Sequence, residues 1–179
     1  MITRKVCLLG AFAVGKTSLV RRFVHGVFDE RYLTTLGVKI DTKTIELDGE
    51  TVKLVVWDVE GTDPADGGES AARSRMQAYL QGADGVLLVV DGTRASTLDA
   101  ARDILGDFTN KHPGIPVMLM LNKADLAEQW QVDPQQVEDF PGLTHSFTTS
   151  ALSGENVEAT FISLAEQLTR KDGSPAGHC

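Results

Sequence analysis

A chain of 179 residues is long enough for one substantial hydrophobic core and short for two. Its 25 acidic residues against 17 basic ones leave a formal net charge of −8. That balance excludes the basic footprint of a nucleic-acid binder and argues against attraction to an anionic membrane surface. Cys7 lies inside an apolar run and Cys179 is the last residue, so there is no disulfide framework, and a reducing, cytoplasmic compartment is expected. Residues 1–5 lead into too short an apolar run for a secretory signal, and no stretch is apolar for long enough to cross a bilayer.

Residues 5–9 read as a buried strand, and 16–25 as a helix with Leu19, Val20, Phe23 and Val24 on one face. Residues 38–47 alternate with period two, then Asp48-Gly49 precedes a second strand-like run at 52–57. An Asp-Gly pair in that position predicts a β-hairpin. Helical patterns follow at 69–80, 95–111, 134–140 and 156–168, interleaved with buried strands at 86–90 and 116–121 and a weaker one at 143–148. Strands alternating with helices, most of them continuously apolar, imply an α/β fold with a parallel sheet covered on both faces, the hairpin adding one antiparallel edge strand. Residues 62–70 form a Gly-, Asp- and Pro-rich loop. The tail 171–179 is expected to be disordered, leaving one domain over 1–170.

The run from Gly10 to Thr17 matches G-x-x-x-x-G-K-[ST], and it follows the first strand and opens the first helix. Triphosphate oxygens need several donors converging at close range. Gly10 and Gly15 let the backbone curl into a nest of N–H groups, and the helix start adds its positive end. The candidate phosphate-binding residues are Gly10, Ala13, Val14, Gly15, Lys16, Thr17 and Ser18. Lys16 supplies a point charge to the β- and γ-phosphates, and the Thr17 hydroxyl is a candidate Mg²⁺ ligand. Asp58 and Gly61 form D-x-x-G at a strand's carboxyl end, where ligands bind in such sheets. Asp58 is read as holding Mg²⁺ through water and the Gly61 N–H as meeting the γ-phosphate. A plain strand-ending turn would look the same.

Asn122-Lys123-Ala124-Asp125 follows the run 117–121 directly. A carboxylate at Asp125 accepts from guanine N1–H and the 2-amino group, whereas adenine presents no donors there and would leave it unpaired. Asn122 is read as tying this loop to the phosphate loop, and the Lys123 stem as lying along the base. Ser150, Ala151 and Leu152 follow the last strand, with a backbone N–H for the guanine O6. An Asx-type turn leading into a helix is the bland reading of the same residues.

In this order, these residues resemble a Ras-superfamily small GTPase, closest to the Rab-like branch. Thr34-Thr35-Leu36-Gly37-Val38 is similar to a Rab T-I-G-V stretch, Val56-Trp57-Asp58 to W-D-x-A-G, and 149–157 to the pattern around S-A-x-x-G-x-N-V. The resemblance spans 5–168. It implies a P-loop NTPase fold, a Ras-like G domain with a six-stranded, mostly parallel sheet and five helices. It implies GTP/GDP and Mg²⁺ as ligands. Thr35 then binds Mg²⁺ and the γ-phosphate in the GTP state, Phe28 packs against the guanine edge, and catalytic roles fall to Lys16, Thr35, Gly61 and Thr62. Effectors, an exchange factor and a GTPase-activating protein are the implied partners, and the chain is expected to be a monomer.

Three departures bear on catalysis. The family's Gln after D-x-x-G is here Thr62, too short to align an attacking water in the same way. Phe12 and Ala13 replace small residues of the phosphate loop. The 62–70 loop is longer than the Rab pattern. Slow GTP hydrolysis is therefore expected, with Glu69, Arg73, Arg75 and Gln77 as substitutes for the Gln, although Arg73 and Arg75 also read as solvated helix-face residues. Trp57 reads as packing before recognition, and Arg31 resembles the cis arginine of G-protein α subunits at a different spacing. No C-a-a-X box ends the chain, so a lipid anchor at Cys179 is doubtful, and peripheral membrane attachment requires a longer, lipidated C-terminus. The competing readings are a GTP-bound interaction module with negligible hydrolysis and, against Asn122 and Asp125, a P-loop ATPase or small kinase.

Overall fold

Strand β1 runs over Ile2–Gly10, three residues earlier than its apolar stretch, because Ile2 to Lys5 pair in register with Val52 to Val55. The computed structural model describes residues 1–31, 34–62 and 69–170. Helix α1 (Lys16–His25), the hairpin β2 (Val38–Leu47) and β3 (Glu50–Val59), and helix α2 (Glu69–Leu80) follow. Then come β4 (Gly85–Asp91), α3 (Ser96–Lys111), β5 (Val117–Asn122), a 3₁₀ helix (Ala124–Gln129), α4 (Pro134–Glu138), β6 (His145–Thr148) and α5 (Val157–Arg170). The tail 171–179, the central residues of the 62–70 loop and Cys179 lie outside the described residues.

The six strands stand in the order β2-β3-β1-β4-β5-β6. Only β2 with β3 is antiparallel, as the Asp-Gly hairpin predicts. Asp48 and Gly49 have φ of 48° and 86°, the double left-handed turn that matches strand twist. Period-two alternation splits the core between two faces. Val6 and Leu8 of β1 with Leu87 and Val89 of β4 meet α1 and α5, where Phe23 and Phe161 stack with ring centroids 3.9 Å apart. Cys7, Leu9, Val86, Leu88 and Val90 face the other way onto α2, α3 and α4 through Leu80, Leu98, Leu105, Phe108 and Val137. Each fully buried valine, leucine or phenylalanine among them contributes roughly 1.5–3 kcal/mol of transfer free energy.

The topology places the functional segments. Strands β3, β1, β4 and β5 are parallel, and β6 continues them, so their carboxyl ends share one edge. The connection after β1 crosses to the α1 face and the one after β4 to the α3 face, which opens a crevice at that edge. The 3₁₀ helix is an addition to the sequence reading. It carries no buried residue and no apolar period, so periodicity had nothing to detect.

Candidate functional site

A cleft of about 220 Å³ opens at this edge. Its floor is the loop between β1 and α1. Gly15 stands at φ 100°, and a Cβ there would run into the Asn122 amide nitrogen, so only glycine fits. Ala13 also takes a left-handed φ of 63°, which costs a residue with a Cβ on the order of 1 kcal/mol. Lys16 is 5% exposed, and its ammonium donates to the carbonyls of Gly10 at 3.1 Å and Ala11 at 2.9 Å. Burial pulls its pKa down to about 8, with Asp58 opposing and Arg94 reinforcing the shift. Two carbonyl dipoles stabilise a buried ammonium less than anionic phosphate oxygens would.

Beside Lys16, three oxygen-bearing side chains from three segments converge. The Thr17 hydroxyl donates to Asp58 Oδ2 at 2.6 Å, Thr35 Oγ1 donates to the same oxygen at 3.2 Å, and the two threonine hydroxyls touch each other. Asp58 is 1% exposed, and its second oxygen, Oδ1, is buried with no hydrogen-bond partner. Burial raises the Asp58 pKa above its ordinary value, against the hydroxyl bonds and the Lys16 charge. A buried, partly unsatisfied carboxylate beside two hydroxyls is a hard-oxygen donor set that fits Mg²⁺. Among the described residues no cluster of three His, Cys, Asp or Glu offers an alternative metal site.

The far end of the cleft is built on β5 and the loop after β6. The Asn122 amide donates to the Val14 carbonyl at 3.1 Å, and its oxygen accepts from Thr149 Oγ1 and the Ala151 N–H, each at 3.3 Å. The Ser150 hydroxyl donates to Asp125 Oδ1 at 2.7 Å, which orients a carboxylate that is itself exposed on the cleft wall. Ala151, Leu152, Lys123 and Phe28 complete this end. Arg22 of α1 braces it from behind, donating to the carbonyls of Ala151 at 2.8 Å and of Leu152.

Residues 5–170, which carry all of these segments, fit the Ras family model. The chain belongs to the Ras family. Its relatives include the human Ras-related protein Rab-30, 36% identical over 170 residues, covering 92% of this chain and 79% of that protein. RABE1e of Arabidopsis thaliana is 33% identical (93% and 75% covered), and Rab-13 of Rattus norvegicus 31% identical (94% and 81% covered). This is a Rab-like small GTPase of the Ras superfamily. No helix among its described residues is long and apolar enough to cross a membrane.

In this small GTPase the residues singled out from sequence divide by position. Ala13, Gly15, Lys16, Thr17, Ser18, Phe28, Thr35, Gly61, Asn122, Lys123, Asp125, Ala151 and Leu152 line the cleft. Gly10, Val14, Asp58, Ser150 and Thr62 do not line it, but each is hydrogen-bonded to a residue that does. Thr62 is held by its main chain. Its carbonyl accepts from the Phe12 N–H at 3.0 Å and its N–H donates to Gly10 at 3.3 Å, forming a bridge with Ala11. A Cβ on Gly61 would lie 2.6 Å from Phe12 Cα, so the two loops press backbone to backbone. Phe12 is 38% exposed at the rim. Arg31 is committed to Asp29, at 2.7 Å.

Sequence reasoning missed Asp91, Arg94, Glu60 and Arg22. Asp91, 1% exposed at the end of β4, accepts from Lys123 at 2.7 Å, Arg94 Nε at 2.9 Å and the Thr93 hydroxyl at 2.6 Å. Burial pushes its carboxyl up, but these bonds win and its pKa lies below the ordinary value. Arg94 also donates to the Phe12 carbonyl at 2.8 Å. Lys123 is thus linked through Asp91 and Arg94 to the 10–17 loop. The available signal was position: Asp91 pairs with Asn122 across β4 and β5, at the edge where site residues collect.

Proposed function

We propose that this chain is a guanine-nucleotide switch that binds GTP and GDP with Mg²⁺, hydrolyses GTP slowly, and signals through the Thr35 and Thr62 segments. The convergence of Thr17, Thr35 and Asp58 beside the buried Lys16 carries the reading. Thr17 and Thr35 hydroxyls and the Asp58 carboxylate would hold Mg²⁺, which when bound supplies positive charge against the phosphates. Lys16 and the main-chain N–H groups from Ala13 to Ser18 hold the phosphates. Gly61 stands flush against the loop with its N–H available to the γ-phosphate. Asp125, the Ala151 N–H, Lys123 and Phe28 hold and read the guanine, with Asn122 fixing their loop.

Loss of the γ-phosphate removes contacts from Thr35 and Gly61, and two segments lose an anchor. Effectors that prefer the ordered segments, an exchange factor and a GTPase-activating protein follow from the family, in vesicle trafficking or signal transduction. Slow hydrolysis follows from the Thr62 side chain, too short to orient water, and from the bulk of Phe12 at the rim. Single-turnover conversion of GTP to GDP by the purified chain tests it; a rate equal to that of a Gln-bearing Rab refutes it.

The same two residues favour a second reading, a GTP-bound interaction module with negligible hydrolysis. The nucleotide that co-purifies decides: GDP supports the cycling switch, retained GTP the module.

A further inference from the structure

Immediately before Gly61, where the Rab pattern W-D-x-A-G has alanine, this chain carries Glu60. Its main-chain N–H donates to the Gly37 carbonyl at 2.8 Å, and its side-chain Oε2 accepts the Gly37 N–H at 2.9 Å. Glu60 therefore engages both main-chain polar groups of Gly37. Gly37 stands at φ 72°, two positions after Thr35. Its N–H comes before the β2–β3 ladder, whose first pair is Val38 with Val59. Glu60 thus extends the ladder by a side chain, into the segment that carries Thr35. The other carboxylate oxygen, Oε1, accepts from Arg75 Nε of α2 at 2.9 Å. Tyr79 of the same helix closes on Gly37 as well: a Cβ built there would lie 3.4 Å from its hydroxyl oxygen.

We propose that Glu60 is a positioning residue that holds Thr35 at the Thr17–Asp58 cluster and couples that segment to α2 through Arg75, independently of the γ-phosphate. An alanine at this place has no acceptor for the Gly37 N–H and none for Arg75. The Thr35 segment then depends on the ligand alone for its order, and that ordering cost is met when GTP binds. With Glu60 much of the cost is met in the fold. The GDP and GTP forms of this chain accordingly differ less in the Thr35 segment than the family's switch principle requires. The inference rests on the switch reading above.

The test compares wild type with Glu60→Ala, Glu60→Gln and Arg75→Ala, each loaded with GDP or a non-hydrolysable GTP analogue. Exchange of the Gly37 amide is read by NMR, and affinities for both nucleotides by competition. In the GDP form, wild type is expected to protect Gly37, and Glu60→Ala to lose about tenfold of that protection. The affinity ratio of analogue to GDP falls by about tenfold in Glu60→Ala. Glu60→Gln keeps an acceptor for Gly37 and restores most of both effects, while Arg75→Ala is intermediate. Unchanged exchange of core amides such as Leu87 shows that each variant is folded. Equal Gly37 exchange in wild type and Glu60→Ala, with both nucleotides bound, overturns this proposal alone. A sample that binds neither nucleotide overturns the switch reading, and this one with it.

Discussion

The Asn122 amide donates to the Val14 carbonyl at 3.1 Å across 108 positions of sequence, so the 122–125 loop is tied directly to the 10–17 loop. Asn122 is 2% exposed and its oxygen is also committed, to Thr149 and Ala151. Truncation to alanine strands three buried polar groups. Asn122→Ala is expected to weaken GDP and GTP binding alike, by on the order of 2–3 kcal/mol or 30- to 150-fold. Displacement of a fluorescent guanine nucleotide measures it. A loss under threefold would show that the two loops hold their places without this link.

Thr62 is fixed by its main chain to Phe12 and Gly10, so its side chain can be exchanged without moving the loop. Thr62→Gln supplies an amide long enough to orient water and is expected to raise single-turnover GTP hydrolysis by roughly tenfold. Thr62→Ala should leave the hydrolysis rate nearly unchanged. If glutamine gives no acceleration, the missing group is not what limits the rate, and Phe12→Gly becomes the variant to measure.

Lys16 has its pKa lowered by burial to about 8. Phosphate oxygens favour the charged ammonium, so binding raises that pKa and takes up a proton above pH 8. GDP affinity should therefore fall as pH rises, by about fourfold between pH 7 and 8.5 if the bound Lys16 stays charged. Calorimetry at the two pH values, in buffers of different ionisation enthalpy, reads both the loss and the proton uptake. For folding the sign is opposite: the cost of burying the charge is full below pH 8 and is relieved as pH rises from 8 toward the unfolded pKa. A flat affinity profile over this range would contradict a Lys16 that loses its proton near pH 8.

Cys7 is fully buried in β1, and burial pushes its thiol up to about 12. A thiol that is both inaccessible and un-ionised at pH 8 reacts slowly. Alkylation of the native chain should leave the Cys7 peptide unmodified on a timescale that labels it completely in guanidinium, as mass mapping would show. Rapid native labelling would mean that β1 opens far more often than its central place in the sheet allows.

The chain's local chemistry determined its element types and the two ends of the site. Strand and helix periods, the Asp48-Gly49 turn, the Gly10–Thr17 loop and Asn122 with Asp125 are all decided by neighbours within a few residues. Boundaries moved where a remote strand intervened: β1 starts at Ile2 because Val52 to Val55 pair with it, not because Thr3 and Arg4 are apolar. Only the tertiary structure decided the partners of long polar side chains. Glu60 and Arg75 are 15 positions apart, Arg94 and Phe12 82, and Arg22 and Ala151 129. A charged residue alone in sequence looks like any solvated charge. It becomes a brace when folding brings a carbonyl, an amide or an opposite charge within 3 Å, and that distance is fixed by strand order and helix packing.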